Sequence, residues 1–217
     1  MALVLRLAPD LSFDTIVARA AAIIDAGSAI AYPTETFYGL GVDASNEAAI
    51  RKIFDIKGRD FKNPVSVIIG DVDHLPPLVH TVTNAAQNLI NTFWPGPLTI
   101  VFEAASSVST LLTAQTGKIG VRLSSHEFAR RLTLQTGKPI TATSANLSGA
   151  PECADAQAVM DQIGSSIDAV IDLGVKGGKT GSTIIDATAE TPVLLRSGII
   201  TYEEIEAKTG LKIQRRP

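Results

Sequence analysis

The sequence predicts an α/β fold, an open mixed sheet flanked by helices, and three observations predict it. Short apolar runs bounded by Pro, Gly and Asn recur along the whole chain. Amphipathic segments with helical spacing lie between many of them. The two kinds alternate without the regularity of a pure βαβ array, which favours a mixed over an all-parallel sheet. At 217 residues, 45% hydrophobic and 19% charged, the chain can bury a sizeable core and is not a disordered protein. Only 5% of residues are aromatic, so aliphatic side chains must fill that core. No linker, internal repeat or low-complexity tract interrupts it, and one domain over residues 1–217 is expected.

Residues 3–7 suit a first strand, closed by Pro9. Ser12 can cap a helix whose Phe13, Ile16, Val17, Ala20, Ile23 and Ile24 share one face, with Gly27 at its end. Residues 29–32 form a buried strand, residues 46–55 a helix carrying Ile50, Ile53 and Phe54, and residues 65–69 a further strand. Pro76-Pro77 makes 75–79 a short irregular helix or turn, and a helix from Thr83 or Asn84 stops at Trp94, before Pro95 and Pro97. Strands follow at 98–102, 119–123, 140–142, 169–173, 182–186 and 193–196. Helices are expected at 108–114, 127–136, 155–163 and 202–209.

The densest chemistry lies in residues 31–63. Pro33 stops an apolar run, so Thr34, Glu35 and Thr36 emerge where strand gives way to loop. Gly39 and Gly41 allow a sharp turn or a close backbone approach. After the helix come Lys57-Gly58-Arg59 and Lys62-Asn63-Pro64; in an extended segment Lys57 and Arg59 would point to the same side. The combination suggests hydroxyl recognition beside an anion site. Arg122 sits inside an apolar strand, where an unpaired guanidinium is costly, so it needs either an internal carboxylate or a bound one. Arg196 follows the same logic.

Other classes are disfavoured. A net charge of −3 argues against binding nucleic acid by bulk electrostatics, although Arg51, Lys52, Lys57, Arg59 and Lys62 concentrate positive charge locally. One cysteine, Cys153, excludes an internal disulfide. The opening residues lack signal-peptide character and no apolar run approaches a membrane span, so a cytoplasmic protein with no membrane partner is expected. His74, His80 and His126 are scattered, without metal-ligand spacing. Gly177-Gly178-Lys179-Thr180 is not a Walker A loop: Leu173 stands where a glycine is needed, and the residues that follow are β-like. It is expected instead as a flexible glycine loop bordering a pocket.

The segments PTETFYGLG, KGR and NP, followed in order by SANLSG, STIID and LRSG, resemble the YrdC/Sua5 family of threonylcarbamoyl-AMP synthases, from about residue 12 to residue 200. The resemblance implies a YrdC-like fold, a twisted sheet with a deep concave cavity. It implies ATP-dependent synthesis of L-threonylcarbamoyladenylate from L-threonine and bicarbonate or CO2, with release of pyrophosphate, for t6A modification of tRNA. By resemblance, Thr36, Arg122, Ala142 and Ser182 enclose threonine, while Lys57, Arg59, Asn63, Lys118, Ser144, Asn146 and Arg196 hold the nucleotide. Lys118 has a surface lysine as its other reading. Mg2+ is expected with ATP, without an identified protein ligand. Glu35 could serve as metal ligand, as base toward the amine, or as hydrogen-bonded partner of a nearby cation.

The chain departs from the family in two places. Ile68 replaces a histidine thought to face threonine, and Arg196-Ser197-Gly198 replaces Arg-Pro-Gly. The sequence resembles the short members, without the extra C-terminal domain. A downstream tRNA threonylcarbamoyl transferase is an expected transient partner, with weak RNA binding beside it. The alternative reading is an RNA-binding module of the same fold without synthase activity. A carbamoyl-adenylate former of hydrogenase maturation would need a longer chain and more cysteines.

Overall fold

The protein was analysed as a computed structural model, which describes residues 1–9, 11–174 and 177–215. In chain order the first half runs β1 (Leu3–Arg6), α1 (Phe13–Asp25), β2 (Ile30–Tyr32), β3 (Gly39–Gly41), α2 (Glu47–Lys57), β4 (Val67–Ile69), α3 (Asn84–Phe93) and β5 (Leu98–Glu103). It continues α4 (Thr110–Thr113), β6 (Lys118–Leu123), α5 (Glu127–Thr136), β7 (Ile140–Thr141), β8 (Thr143–Ser144) and α6 (Ala156–Ile163). It closes with β9 (Ala169–Asp172), β10 (Thr183–Asp186), β11 (Val193–Arg196), α7 (Tyr202–Thr209) and β12 (Gln214–Arg215). Side-chain caps set the helix starts: Ser12 accepts from Thr15 N–H at 3.3 Å, Asn46 from Ala49 N–H at 3.2 Å and Thr83 from Ala86 N–H at 3.0 Å.

The α/β class with mixed strand pairing holds, but the expected single sheet is two. One has the order β1-β9-β2-β3-β8 and the other β12-β11-β10-β5-β6-β4-β7. Helices α1 and α5 pack together over Leu5, Ile30, Tyr32, Ile68 and Ile140, while a larger core gathers α2, α3, α6 and the opposite face of the seven-stranded sheet. The predicted strand 140–142 splits. Its first half, β7, pairs with β4 and its second half, β8, pairs with β3, so the chain changes sheets at Ala142, whose N–H donates to Ser66 O at 2.8 Å. Residues 38–44 accompany this crossover: Thr141 N–H donates to Val42 O at 3.0 Å, Ala44 N–H to Pro139 O at 3.0 Å and Ala145 N–H to Tyr38 O at 2.8 Å. The resulting ribbon ties the two sheets together.

β3 was not expected, because two glycines in three residues have low strand propensity. Tertiary packing overrides it: the Tyr32 ring lies across the glycines, and its hydroxyl donates to Thr141 O at 2.9 Å. Burial pushes that phenol well above the usual tyrosine range. The Lys57–Arg59 segment is also not extended. Lys57 ends α2, and Gly58 at φ 58° reverses the chain in the left-handed conformation glycine favours. The β-like reading after Gly178-Lys179-Thr180 is correct, since β10 follows and no helix does. No helix among the described residues is long and apolar enough to cross a membrane.

A Cβ at Gly41 would stand 2.6 Å from Tyr32 Cε1 and 2.9 Å from Ile140 Cγ2. Gly41→Ala is therefore expected to destabilise the fold by about 1–3 kcal/mol through overpacking. Urea unfolding checks this: the midpoint should fall with the slope unchanged.

Candidate functional site

Strand register brings the polar side chains of the seven-stranded sheet together. Arg196 on β11 is paired with Ile184 on β10, and Ile184 with Thr99 on β5. Continuing the antiparallel register of Ile100 with Val121 by one step puts Thr99 opposite Arg122 on β6, and Arg122 is paired with Ile68 on β4. Residues in one such row face one side of a sheet, so two arginines and a threonine line a single concave surface. Gly120 keeps that surface deep, because a Cβ there would meet Ser66 Oγ at 2.5 Å.

Above it lies a cavity of about 760 Å³, its mouth included. Its walls include Thr36, Arg59, Arg122, Ala142, Ser144, Ser182 and Arg196, seven of the residues singled out in the sequence. They come from six separate stretches of chain. Sequence reasoning missed Ser66, Thr99, Thr143 and Glu152, which share the wall. Ser66 and Thr99 could have been found only as polar positions facing inward at period two within apolar strands. Ile68 does not line the cavity; it is fully buried in the core with Tyr32, Phe128 and Ile140.

Thr34 and Thr36 build the rim after β2. Thr34 Oγ1 donates to Phe37 O at 2.7 Å and accepts from Thr36 N–H at 3.1 Å, an ST-turn that fixes the loop. With its own proton committed, Thr34 also accepts from the Thr36 hydroxyl at 2.9 Å, and Thr36 in turn accepts from Arg122 Nη1 at 3.3 Å. Arg122 is 5% exposed. Of its five N–H donors, that bond is the one made among the described residues. An internal carboxylate, one of the two partners the sequence allows, stands at ion-pair distance without a hydrogen bond: Glu35 Oε1 lies 3.8 Å from Arg122 Nε, and neither atom has a hydrogen-bond partner among the described residues. Glu35 is bonded instead to Ser124, and it does not line the cavity.

Arg196 is held by Ser182, donating from Nε and Nη2 to its carbonyl at 3.1 and 2.8 Å and from Nη2 to its hydroxyl at 2.9 Å. Ser182 Oγ is in turn 3.1 Å from Thr99 Oγ1. Arg59 reaches Thr143 Oγ1 at 3.4 Å. Burial lowers the pKa of both arginines, and they remain cations at any working pH. Three guanidiniums therefore face one concavity whose lining includes a single carboxylate, Glu152. Gly178 N–H donates to Thr36 O and Gly177 N–H to Ala154 O at 2.6 Å, which ties the glycine segment to the Thr36 loop; neither glycine is in the described cavity lining.

A second hollow, reached past Arg59 and Ser144, is lined by Lys57, Asn63, Asn146 and Ser148. Here Lys57 is buried, its ammonium donating to Ser144 O at 2.5 Å, Asn146 O at 2.8 Å and Asn146 Oδ1 at 3.1 Å. Asn146 Oδ1 also accepts from Ser144 Oγ at 2.6 Å, and its Nδ2 donates to Ala150 O at 2.6 Å. Lys57, Ser144 and Asn146 thus hold the 144–150 loop in shape. Lys118 is not brought to either hollow. Its ammonium is paired with Asp186 at 2.7 Å and bonded to Thr188 at 3.0 Å. Among the described residues no cluster of three His, Cys, Asp or Glu side chains could hold a metal ion.

A profile of the Sua5/YciO/YrdC family, described as "Telomere recombination", matches residues 22–198. A threonylcarbamoyl-AMP synthase of Bacillus subtilis is 38% identical over 91% of this chain and 57% of its own length. The chain thus spans a little over half of that relative. A threonylcarbamoyl-AMP synthase of Vibrio vulnificus is 38% identical over 79% of this chain and 92% of its own. A crystal structure of P. abyssi Sua5 complexed with L-threonine superposes with a TM-score of 0.90 at 35% identity, covering 99% of this chain and 62% of that one.

Burial and the neighbouring Arg59 push the Lys57 ammonium down to about 8, from the ordinary 10.5. Lys57→Met would remove a donor from three oxygen acceptors, among them Asn146 O, and is expected to cost about 1–3 kcal/mol. Between those two pH values the unfolded chain holds a proton that the folded chain has released, so wild-type stability rises with pH through that window. Denaturant unfolding of both proteins across it should show the gap between wild type and Lys57→Met widening toward alkaline pH.

Proposed function

Since the chain belongs to the Sua5/YciO/YrdC family, we propose that it makes L-threonylcarbamoyladenylate from L-threonine, bicarbonate or CO2 and ATP, releasing pyrophosphate. The product would pass to a tRNA threonylcarbamoyl transferase for t6A modification. One observation carries the reading: a buried guanidinium, Arg122, lies in the cavity wall with most of its donors unused, beside hydroxyls sized for a small amino acid. A planar carboxylate matches that fork, and each charge-assisted hydrogen bond contributes about 1.5–3 kcal/mol.

In this reading Arg122 takes the substrate carboxylate, with Thr36, Ala142 and Ser182 enclosing the rest of the amino acid. Arg59, Arg196 and Ser144 meet the nucleotide, and Asn63 borders the hollow into which its far end extends. The amine of threonine adds to CO2 and loses a proton, giving a carbamate. A carbamate oxygen then attacks the α-phosphorus and pyrophosphate leaves. Neither step needs a covalent enzyme nucleophile, so positioning, charge neutralisation and exclusion of water carry the catalysis. Mg2+ fits as a metal held chiefly by the triphosphate, with Glu152 as the one carboxylate in the described cavity lining. When bound there it would neutralise phosphate charge.

Pyrophosphate release with ATP, Mg2+ and bicarbonate should depend on threonine and be far weaker with serine, valine or no amino acid. Arg59→Ala and Arg122→Ala should each lower turnover about ten- to a hundredfold or more, with the circular dichroism spectrum unchanged. Equal release with and without threonine would reduce the protein to an ATPase and overturn the assignment.

A further inference from the structure

Two buried, oppositely charged groups stand close together without bonding. Glu35 Oε1 and Arg122 Nε are 3.8 Å apart, their side chains are 15% and 7% exposed, and both atoms lack a hydrogen-bond partner among the described residues. A carboxylate and a guanidinium free to move would close to about 2.7–2.9 Å, the geometry that best offsets their desolvation. Something restrains one of them. Among the described residues the Arg122 guanidinium makes one hydrogen bond, to Thr36. Glu35 is anchored more firmly, because its other oxygen, Oε2, accepts the hydroxyl of Ser124. Ser124 is itself completely buried and fixed, its Oγ accepting from His126 N–H at 3.2 Å in the turn before α5. It lies two residues beyond Arg122, so one end of β6 reaches the loop after β2 twice, through Arg122 to Thr36 and through Ser124 to Glu35.

We propose that Ser124 is a positioning residue that, by holding Glu35 out of hydrogen-bonding range of Arg122, keeps the guanidinium open for an anionic substrate group. A closed Glu35–Arg122 pair would satisfy the arginine internally and compete with any ligand carboxylate. A Glu35 held at its present distance still stabilises the buried positive charge without occupying its donors. The substrate consequence rests on the threonine carboxylate assignment above; the geometric core, an ion pair held open by a hydroxyl, does not.

Two measurements separate them. A crystal structure of Ser124→Ala without amino acid should show Glu35 within hydrogen-bonding distance of Arg122; a Glu35 that stays in place overturns the proposal. Calorimetric titration of L-threonine, alongside steady-state turnover, should show Kd and KM for threonine rising about tenfold or more in Ser124→Ala while kcat changes much less. Ser124→Thr, which keeps the hydroxyl, should behave as wild type. Ser124→Ala/Glu35→Gln should recover threonine affinity, since a neutral amide competes poorly for the guanidinium; a variant that had merely misfolded would not be rescued. If Ser124→Ala binds threonine as wild type does while Arg122→Ala does not, the inference fails and the functional reading stands. If wild type binds no threonine, the functional reading fails, and the Ser124→Ala crystal structure alone then decides whether the hydroxyl holds the pair open.

Discussion

The crossover at Ala142 is the constraint on which the site depends. A chain that stayed in one sheet from residue 140 to 144 would leave Thr143 and Ser144 in line with β4. Because Ala142 donates to Ser66 and the next two residues pair with β3, these side chains instead form the wall opposite Arg122 and Arg196. The crossover is possible because residues 39–44 run beside it and satisfy the backbone groups that leaving a sheet would otherwise orphan. Tyr32 secures that ribbon from below, its ring on Gly39 and Gly41 and its hydroxyl on Thr141 O. Fold and site therefore share one set of contacts.

The electrostatics follow from that geometry. A chain of net charge −3 concentrates Arg59, Arg122 and Arg196 on one concavity and supplies a single carboxylate to the described lining. Burying cations is unfavourable unless each finds acceptors. Arg196 finds them in Ser182, and Lys57, just outside, finds them in the 144–146 backbone and Asn146. Of the two fully buried cations among the described residues, Lys57 and Arg122, Arg122 is the exception, with one neutral hydroxyl and a carboxylate held off by Ser124. The fully buried cation least satisfied by the protein is the one best prepared for a ligand, an instance of unrelieved polar groups concentrating where binding occurs.

Much of this was legible in the sequence. The helix start at Ser12 was marked by its capping side chain, the helices expected from residue 46 and from Thr83 or Asn84 begin there, and α5 and α7 have the predicted bounds. Those signals are local, set within one helical turn. Arg122 and Arg196 were visible because a charge in an apolar segment must have a partner, whereas Thr36, Arg59 and Ser144 were marked by the resemblance of their segments to the family. β3 was not visible, because its glycines are tolerable in a strand only under Tyr32. Ser66, Thr99 and Ser124 were ordinary polar residues until register aligned them. Lys57 carried the right charge in the wrong conformation, and its ammonium is spent on a loop. Lys118 was drawn away by Asp186, 68 residues further along the chain.

By itself, then, the sequence determined which segments would be helix or strand and which side chains had charge to place, because propensity, capping and hydrophobic period act over a few neighbours. Tertiary structure alone decided that there would be two sheets, which of the cations would share a cavity, and which of them would keep donors free. Those outcomes depend on pairings between residues many tens of positions apart, and a shift of one residue in any of them would turn the same side chains to the other face.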